Sequence, residues 1–269
     1  MNGRVVTLRA ARIVDAAIAR LEGRAPRSPI EAAALDRRDF LRVAGLSLAS
    51  GLLAACNSNG PASAQRALRY AERRNETVER WLFRHTAMDH ARASARDAGD
   101  RFPAYFVSKR MPVWDEPARG PWALAVGGAV RRPVTLSLDQ LVRMPQTQQR
   151  VDHFCVEGWN AVATWWGVRF REIARLVDPL PGARYVDFQS FDDDYHESWD
   201  LDSAMHPQTL VAYAKDGRFL SAAWGAPARV HSPIKLGYKN TKYLTRIEFM
   251  TRRNGGYWSD EGYEWYGGT

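Results

Sequence analysis

HFCVEGWN, residues 153–160, places a cysteine at the end of a strand-like run and follows it with an acid, a glycine and a tryptophan. The chain is sparing with thiols, because Cys155 is one of only two cysteines among 269 residues. A thiol in such a place is a buried apolar filler, a nucleophile or a metal ligand. The rest of the sequence has to decide among these three roles.

The other cysteine, Cys56, ends a segment that predicts export. Residues 36–56 read DRRDFLRVAGLSLASGLLAAC, where two arginines precede an apolar stretch too short to span a bilayer as a stable helix. The pattern is typical of a twin-arginine export signal, and its last four residues, LAAC, resemble a bacterial lipobox. We therefore predict a leader over residues 1–56, a periplasmic location reached by the twin-arginine route, and a possible lipid anchor on Cys56. An ordinary cleavage region with an incidental cysteine is the alternative to the lipobox.

Removal of the leader would leave Cys155 as the single cysteine of the mature protein. One cysteine cannot form an internal disulfide in an oxidising compartment. Twin-arginine export carries folded proteins, many of which load a cofactor before they leave the cytoplasm. This property of the pathway favours the metal-ligand role for Cys155.

The charge distribution argues against a nucleic-acid binder. The net charge is +8, but the basic excess is concentrated before residue 100, and the later part of the chain mixes both signs. The sequence contains no zinc-finger spacing, RNA-recognition signature or long basic run. It also contains no glycine-rich dinucleotide motif, His-Glu-x-x-His pair or Gly-x-Ser-x-Gly elbow. We therefore expect no nucleic-acid partner.

The chain divides into three predicted parts. After the leader, residues 57–100 combine a polar tether, NSNGPASAQ, with a helical pattern over 66–96. Residues 101–269 are the predicted catalytic domain, which opens with an irregular segment rich in proline and aromatic residues. From Trp122 onward short strands outnumber helices in an irregular order. This order predicts an α+β fold with mixed sheets and short helices.

Three local patterns predict individual elements of this domain. Ser137 is a predicted N-cap for a helix over the following residues. GVRFREIARLV, residues 167–177, is a predicted amphipathic helix. Its predicted apolar face consists of Phe170, Ile173, Leu176 and Val177. Asp216-Gly217 is a hairpin turn signal between two strands.

Three groups of motifs follow one another in the second half of the chain. They are CVEGW (155–159), then LVAY (210–213), DG (216–217), GAPAR (225–229) and Pro233, and finally GYKNTKYLTRI (237–247). Together with Pro121-Trp122 and the run from Arg132 to Leu141, this ordered set resembles the molybdopterin-binding domain of the sulfite oxidase family. The resemblance covers about residues 100–269. CVEGW is most similar to the branch of periplasmic methionine sulfoxide reductase catalytic subunits.

The resemblance implies a molybdenum–molybdopterin cofactor, with one molybdenum per chain and Cys155 as its thiolate ligand and catalytic residue. A thiolate is a soft ligand that suits such a centre. The cofactor ends in a phosphate, and Arg229 is the best candidate to bind it because a guanidinium fork binds phosphate through two hydrogen bonds. The other expected cofactor contacts are Lys239, Lys242, Gly237, Tyr238, Ser190, His231, Trp224, Tyr105 and Phe106.

Two departures from the family pattern bear on the reaction. Trp224 stands where the family commonly has a His or Asn that touches the cofactor, and a tryptophan can donate only one hydrogen bond. Sulfite oxidases follow the cysteine with small and basic residues, whereas Cys155 is followed by Val156 and Glu157. The second departure makes sulfite a poorer candidate for the substrate.

Two other features, a histidine and a run of three aspartates, are weaker indicators of function. His153 lies two residues before the cysteine, so its side chain is expected on the same face of the strand. There it orients the site or tunes the oxo group, and an ordinary surface or core histidine is the alternative. Asp192-Asp193-Asp194 is expected to be a solvated loop.

The sequence therefore predicts an exported molybdenum enzyme that performs two-electron oxygen-atom transfer, favouring reduction of an S-oxide or N-oxide over oxidation of sulfite. Its expected partners are a small-molecule substrate and an electron-transfer protein, such as a membrane haem protein or a periplasmic cytochrome, because no haem or iron–sulfur motif is present. A monomer is expected. The alternative is a lipid-anchored, non-catalytic binding module on the same fold. Trp224 motivates it, as does the upstream segment, where only Tyr105 and Phe106 can be placed as cofactor contacts.

Overall fold

The computed structural model describes residues 70–82 and 104–269. The chain splits into two compact units, Met1–Arg74 and Asn75–Thr269, and the first contributes only helical residues to this description. The predicted export signal, lipobox and tether lie outside the described residues. The predicted helix over 66–96 is described only over residues 70–82, which are helical. The predicted domain boundary near residue 101 stays a prediction.

The described residues contain ten strands and six helices. The strands are β1 (Ala123–Gly128), β2 (Val134–Ser137), β3 (Gln146–Phe154), β4 (Asn160–Arg169), β5 (Tyr185–Ser190), β6 (His196–Asp200), β7 (Leu210–Lys215), β8 (Arg218–Phe219), β9 (Arg229–His231) and β10 (Leu244–Met250). The helices are α1 (70–82), α2 (Glu116–Arg119), α3 (Leu138–Arg143), α4 (Phe170–Val177), α5 (Leu201–Ala204) and α6 (Tyr257–Asp260). Two short 3₁₀ turns span Ala222–Trp224 and Gly237–Lys239.

The first sheet is mixed, as the sequence predicted for the α+β class. Its strand order is β2-β1-β10-β5-β6. The β1–β10 pair is parallel, and the other three pairs are antiparallel. Leu124 and Val126 of β1 are buried while their neighbours are not, which is the period-two pattern of a strand with one face on a core.

The second sheet carries the cysteine. β3 and β4 form an antiparallel hairpin that pairs Gln146 with Val168 at one end and Phe154 with Asn160 at the other. β4 continues onto β7, which also pairs with β8 and β9. The turn of the β3–β4 hairpin contains Cys155, so the paired strands fix its position.

Strand β7 separates two apolar clusters because both of its faces are buried. Val211 and Tyr213 face the larger cluster, which lies between the first sheet, α3 and α4. Leu210 and Ala212 belong to a smaller cluster. The smaller cluster also contains buried residues of β3 and β4, and Trp159 and Trp224 pack against it. It forms the apolar support beneath the candidate site.

The local predictions meet different outcomes. Ser137 caps α3 as predicted, because its hydroxyl accepts from the Gln140 N–H and the Gln140 side chain accepts from the Ser137 N–H. The predicted helix 167–177 is shorter, since residues up to Arg169 belong to β4. Leu176 is 43% exposed, so its assignment to the apolar face is wrong, and Ala174 is buried instead. In the described part of the chain, no helix is long and apolar enough to cross a membrane.

Candidate active site

A cavity of about 400 Å³ opens between the cysteine hairpin, the loop after β5, the two 3₁₀ turns and the C-terminal segment. Nine of the eleven residues proposed from the sequence line it. They are Tyr105, Phe106, Cys155, Ser190, Trp224, Arg229, Gly237, Tyr238 and Lys242. Distant parts of the chain therefore meet at one cavity, as the ordered motifs predict.

Cys155 begins the turn of the β3–β4 hairpin. Its N–H donates to the Trp159 carbonyl (2.8 Å), and the Gly158 N–H donates to the Cys155 carbonyl (3.0 Å). Gly158 has a φ of 86°, a left-handed conformation that strains other residues. Burial raises the pKa of the thiol, although N–H groups of Glu157 and Val156 oppose this shift. A bound metal cation would reverse the shift and keep the sulfur as a thiolate.

Glu157 organises the rim of the cavity beside the cysteine. Its carboxylate accepts from the Tyr105 hydroxyl (2.7 Å) and from the Trp159 indole N–H (3.0 Å). These hydrogen bonds lower the pKa of Glu157, and the hydrogen bond to Glu157 raises the pKa of Tyr105. At neutral pH the carboxyl group is therefore ionised, and the proton of the pair stays on the Tyr105 oxygen.

Arg229 and Lys242, which we call the cavity pair, are the cations of the site. The Arg229 guanidinium donates to three backbone carbonyls, those of Trp224 (3.2 Å), Val230 (3.4 Å) and Asn240 (3.0 Å). The Lys242 ammonium donates to the Ala223 carbonyl (3.2 Å). Within the described ranges, neither cation forms an ion pair with a carboxylate.

The pKa values of the cavity pair reflect this lack of a counter-charge. Burial lowers the pKa of Arg229 to about 10. Burial and the Arg229 charge lower the pKa of Lys242 to about 7. Asp192 opposes the shift at Lys242, but its carboxylate already accepts from the N–H groups of Val107 (2.7 Å) and Ser108 (2.8 Å). A buried cation without a counter-charge is costly, so this part of the cavity is suited to an anion.

Two histidines form a neutral layer beneath the cavity. His153 Nδ1 lies 3.4 Å from His231 Nε2, and the His231 ring stacks on Trp165 with centroids 4.1 Å apart. Burial and the charge of Arg229 hold the pKa of His153 well below its usual range. His153 Nε2 comes so close to Gly237 that a Cβ there would lie 2.8 Å away. A glycine at position 237 therefore keeps the imidazole edge open to the cavity.

Two of the expected contacts are corrected by the structure. The Lys239 ammonium does not face the cavity, because it binds the fully buried carboxylate of Glu197 at 2.5 Å. His231 is fully buried between His153 and Trp165 and does not line the cavity. Asp192 is also corrected, since it is buried and caps the segment at residues 107–108 instead of lying in a solvated loop.

Several lining residues were not proposed from the sequence. Asn240 fixes the loop between Arg229 and Lys242, because its side chain accepts from the Ser232 N–H and donates to the carbonyls of Lys235 and Leu236. Trp258 and Tyr263 complete the aromatic wall from the C-terminal segment. These two rings are an exception, because the sequence predicts that the aromatic tail GGYWSDEGYEWYGG rims the pocket or covers the sheet, although composition alone does not say which rings face the cavity.

The donor set fits a cofactor that brings most of its own metal ligands. No group of three or more His, Cys, Asp or Glu in residues 70–82 and 104–269 could hold a metal ion. The cavity instead offers one thiol, at Cys155, and two cations that lack a counter-charge. A molybdenum bound by a dithiolene needs only one protein thiolate, and a terminal phosphate would neutralise the cavity pair.

Comparisons with known proteins agree with this donor set. The family described as "Oxidoreductase molybdopterin binding domain" matches residues 110–258. A protein from Azospira oryzae, provisionally named protein-methionine-sulfoxide reductase subunit YedZ1, is 35% identical over 245 residues, which cover 87% of this chain and 88% of that protein. The protein-methionine-sulfoxide reductase catalytic subunit MsrP of Xanthomonas axonopodis is 30% identical over 244 residues, covering 84% and 73%.

Two further matches cover smaller shares. The protein-methionine-sulfoxide reductase catalytic subunit MsrP of Ralstonia nicotianae is 36% identical over 148 residues, which are 49% of this chain and 45% of that protein. Among solved structures, the sulfane dehydrogenase SoxCD of Paracoccus pantotrophus has a TM-score of 0.47 at 18% identity, covering 49% of this chain and 38% of that one.

Proposed function

The chain belongs to the oxidoreductase molybdopterin-binding domain family and is a molybdopterin-dependent oxidoreductase, and from this premise we propose that it reduces an S-oxide, with methionine sulfoxide in proteins as the substrate. The observation that carries the proposal is the meeting of Cys155 and the cavity pair in one cavity. The names of the relatives favour this substrate, since three of them describe protein-methionine-sulfoxide reductases.

The cavity pair would hold the phosphate end of the cofactor. Arg229 is already positioned by three backbone carbonyls, so its remaining N–H groups can be offered to an anion at little entropic cost. Lys242 would regain its charge beside the phosphate, because an anion raises the pKa of a neighbouring ammonium. The Asn240 side chain keeps the intervening loop in place through its bonds to three backbone groups.

Cys155 would provide the protein ligand to the metal. Its turn is closed by two backbone hydrogen bonds, so the sulfur has a fixed direction before the cofactor arrives. When bound, the cofactor supplies the two-electron redox chemistry and the transfer of an oxygen atom. The protein contributes the thiolate, the charge at the phosphate end and the shape of the cavity.

The rim would select and orient the substrate. Reduction of an S-oxide consumes two electrons and two protons and releases a sulfide and water. The Tyr105 oxygen carries its proton at the mouth of the cavity, and the hydroxyl, which donates to Glu157 in this structure, would turn from the carboxylate to donate to a sulfoxide oxygen. The aromatic rings of Trp159, Trp258 and Tyr263 offer an apolar surface to the methyl-thioether part of the substrate.

The location and the electron donor are part of the proposal. Export through the twin-arginine signal at residues 36–56 would place the enzyme in the periplasm, with Cys56 as a possible lipid anchor. A membrane haem protein or a periplasmic cytochrome would supply the electrons one at a time. Both ideas rest on the sequence motifs and on what is expected of the family.

The first test is the molybdenum content of the exported protein, measured by mass spectrometry on wild type, Cys155→Ser and the control Cys56→Ser. We expect near one molybdenum per chain in the wild type and the control, and loss of molybdenum in Cys155→Ser. Absence of molybdenum from folded wild-type protein, in a host that makes the cofactor, would overturn the proposal.

The second test compares substrates with a reduced dye as the electron donor. We expect turnover of an oxidised-methionine peptide and of free methionine sulfoxide, and little reaction with sulfite as a reductant in the reverse direction. Tyr105→Phe should lower kcat more than it raises KM, because the hydroxyl acts on the oxygen that leaves. Fast sulfite oxidation with no sulfoxide reduction would contradict the assignment of the reaction.

A further inference from the structure

In helix α1, the residues that belong to Asn75–Thr269 turn charged side chains toward the protein and apolar side chains toward solvent. Within Asn75–Thr269, its residues Glu76, Glu79 and Arg80 face the protein. Val78, Trp81 and Leu82 face solvent, with 56%, 70% and 54% of their surfaces exposed. A surface helix normally turns its apolar stripe toward the core and its charges toward water.

The inward face of α1 is held by charges. Glu76 pairs with Arg253 at 2.9 Å, and Arg80 lies 3.7 Å from the buried carboxylate of Asp200. The Arg80 guanidinium also lies over the Tyr266 ring at 5.2 Å. These contacts fix the rotation of the helix about its axis, so the outward direction of its apolar residues is a property of the fold.

The outward face is apolar at helical spacing. Positions 78, 81 and 82 follow one another at i, i+3 and i+4, which places them on one stripe. Trp81 is the most exposed of the large apolar residues that the structure describes. Single exposed apolar residues are normal on a protein surface, but a contiguous exposed apolar stripe indicates an interaction surface.

We propose that the stripe Val78-Trp81-Leu82 binds the surface of an anionic lipid bilayer, with α1 lying in the plane of the interface. Tryptophan favours the membrane–water interface, where its ring is apolar and its N–H stays hydrated. Residues 66–96 carry eight arginines against four acidic residues, and two of the acids, Glu76 and Glu79, and one of the arginines, Arg80, face the protein. The local charge therefore matches anionic headgroups.

The position of the stripe in the chain supports a membrane as its occupant. This inference rests on the proposed export and on Cys56 as a lipid anchor. Only residues 57–69 separate Cys56 from α1, and thirteen residues reach at most about 45 Å when extended. A helix tethered so near a bilayer meets it at a high effective concentration, so a weak interfacial affinity is enough.

The test uses the full chain with Cys56→Ser, which cannot be lipidated, and vesicles of phosphatidylethanolamine with phosphatidylglycerol. Hydroxyl-radical footprinting reads each aromatic residue separately, so binding by the apolar leader does not obscure the result. We expect oxidation of Trp81 to fall several-fold when vesicles are added. Oxidation of Phe219, which is 66% exposed on the β7–β8 hairpin, should not change.

A variant pair tests whether the stripe contributes to the affinity. Trp81→Gln/Leu82→Gln should weaken vesicle binding roughly tenfold, and Phe219→Gln should leave it unchanged. The conservative variant Trp81→Phe/Leu82→Ile should keep most of the wild-type affinity for vesicles. This result would show that the loss in the glutamine variant comes from its lost apolar surface and not from replacement of these two residues as such. Phosphatidylcholine vesicles should bind less tightly than anionic ones, and added salt should narrow that difference.

Three results would overturn the proposal. One is equal oxidation of Trp81 with and without bound vesicles, and another is unchanged affinity in the double glutamine variant. The third is protection of Trp81 that grows with protein concentration in the absence of lipid, which would make the stripe an interface between copies. Neither readout requires molybdenum or turnover, so failure here is separate from failure of the proposed reaction.

Discussion

The cavity pair and the Lys239–Glu197 pair are two solutions to the burial of a cation within the same fourteen-residue stretch, 229–242. Lys239 and Glu197 are both fully buried and lie 2.5 Å apart. Arg229 is equally buried, yet within the described residues it has carbonyls and no carboxylate as partners. One cation receives its counter-charge from the protein, and the other two would receive theirs from the proposed ligand.

The difference teaches how to distinguish a structural cation from a binding cation. Glu197 also accepts from the N–H of Trp258 (2.9 Å) and the hydroxyl of Ser259 (3.1 Å), so its pair with Lys239 fastens the C-terminal segment. Burial lowers the pKa of all three cations, but only at Lys239 does an ion-paired carboxylate, that of Glu197, oppose the shift. A buried cation that is paired with a carboxylate holds the fold together, whereas one beside a cavity that has carbonyl partners but no paired carboxylate indicates an anion site.

The largest expected effect is on the free energy of unfolding, and it comes from breaking the Lys239–Glu197 pair. Lys239→Met should lower the free energy of unfolding by about 3–5 kcal/mol, because it leaves Glu197 buried without a counter-charge. Lys242→Met should leave the stability of the cofactor-free protein unchanged or raise it, since it removes an unpaired buried charge. Urea unfolding of the cofactor-free chains measures both. Equal losses in the two variants would abolish the distinction between the pairs.

A double-mutant cycle separates the pair from the packing around it. Lys239→Met/Glu197→Gln should be less destabilised than the sum of its single variants, because neither charge is then left alone. The neutral glutamine can still accept from the Trp258 N–H. Strict additivity of the two free-energy changes would mean that Lys239 and Glu197 act independently.

The next effect concerns anion affinity. Arg229→Gln should weaken binding of sulfate, used as a phosphate probe on the cofactor-free chain, by roughly tenfold to a hundredfold, since a hydrogen bond to a charged group is lost. Arg246→Gln is the matched control, because that arginine is exposed and pairs with Glu248. Thermal shifts at increasing sulfate report the affinity. A similar loss in both variants would indicate a general charge effect.

The sequence could predict the fold class and most of the cavity lining for a physical reason. Cys155, Arg229 and Gly237 lie in motifs whose order is tied to one topology, so finding the motifs locates the strands that bring them together. The Ser137 cap and the Asp216-Gly217 hairpin are local, and their own residues determine them.

The sequence could not predict that Lys239 forms a buried ion pair while Lys242 lines the cavity. Lys239 and Lys242 lie three residues apart in one basic run, and composition treats them alike. Their roles differ because Glu197, forty-two residues away, reaches only one of them. The same limit applies to Asp192, whose partners at 107–108 come from a distant segment. Burial of a charge is a tertiary property, and it depends on partners that no local pattern contains.

A smaller effect is proton uptake at Lys242. Burial and Arg229 lower its pKa to about 7, so near pH 8.5 the ammonium is mostly neutral in the cofactor-free protein. Sulfate binding should restore the charge, with uptake approaching one proton per sulfate at that pH and falling toward none near about pH 6. Calorimetry in buffers of different ionisation enthalpy measures the uptake, and Lys242→Gln should abolish it. Uptake that persists in this variant would assign the proton to another group.

The smallest effect is a pH dependence in the stability of helix α1. On the inward face of this helix the carboxyl group of Glu79 lies near that of Glu264. Burial and the neighbouring Glu264 raise the pKa of Glu79 from 4.5 to about 7, although Lys235 and the Asn75 amide oppose this shift. Because the folded state holds the proton more tightly, the contribution is complete below pH 4.5 and is lost as the pH rises through 7. Hydrogen exchange in residues 75–82, corrected for its intrinsic pH dependence, should therefore quicken across this window. Glu79→Gln should flatten the response, since its amide mimics the protonated acid, and Glu72→Gln on the same helix should not. A wild-type profile that is already flat would mean that burial and Glu264 do not raise the pKa of Glu79.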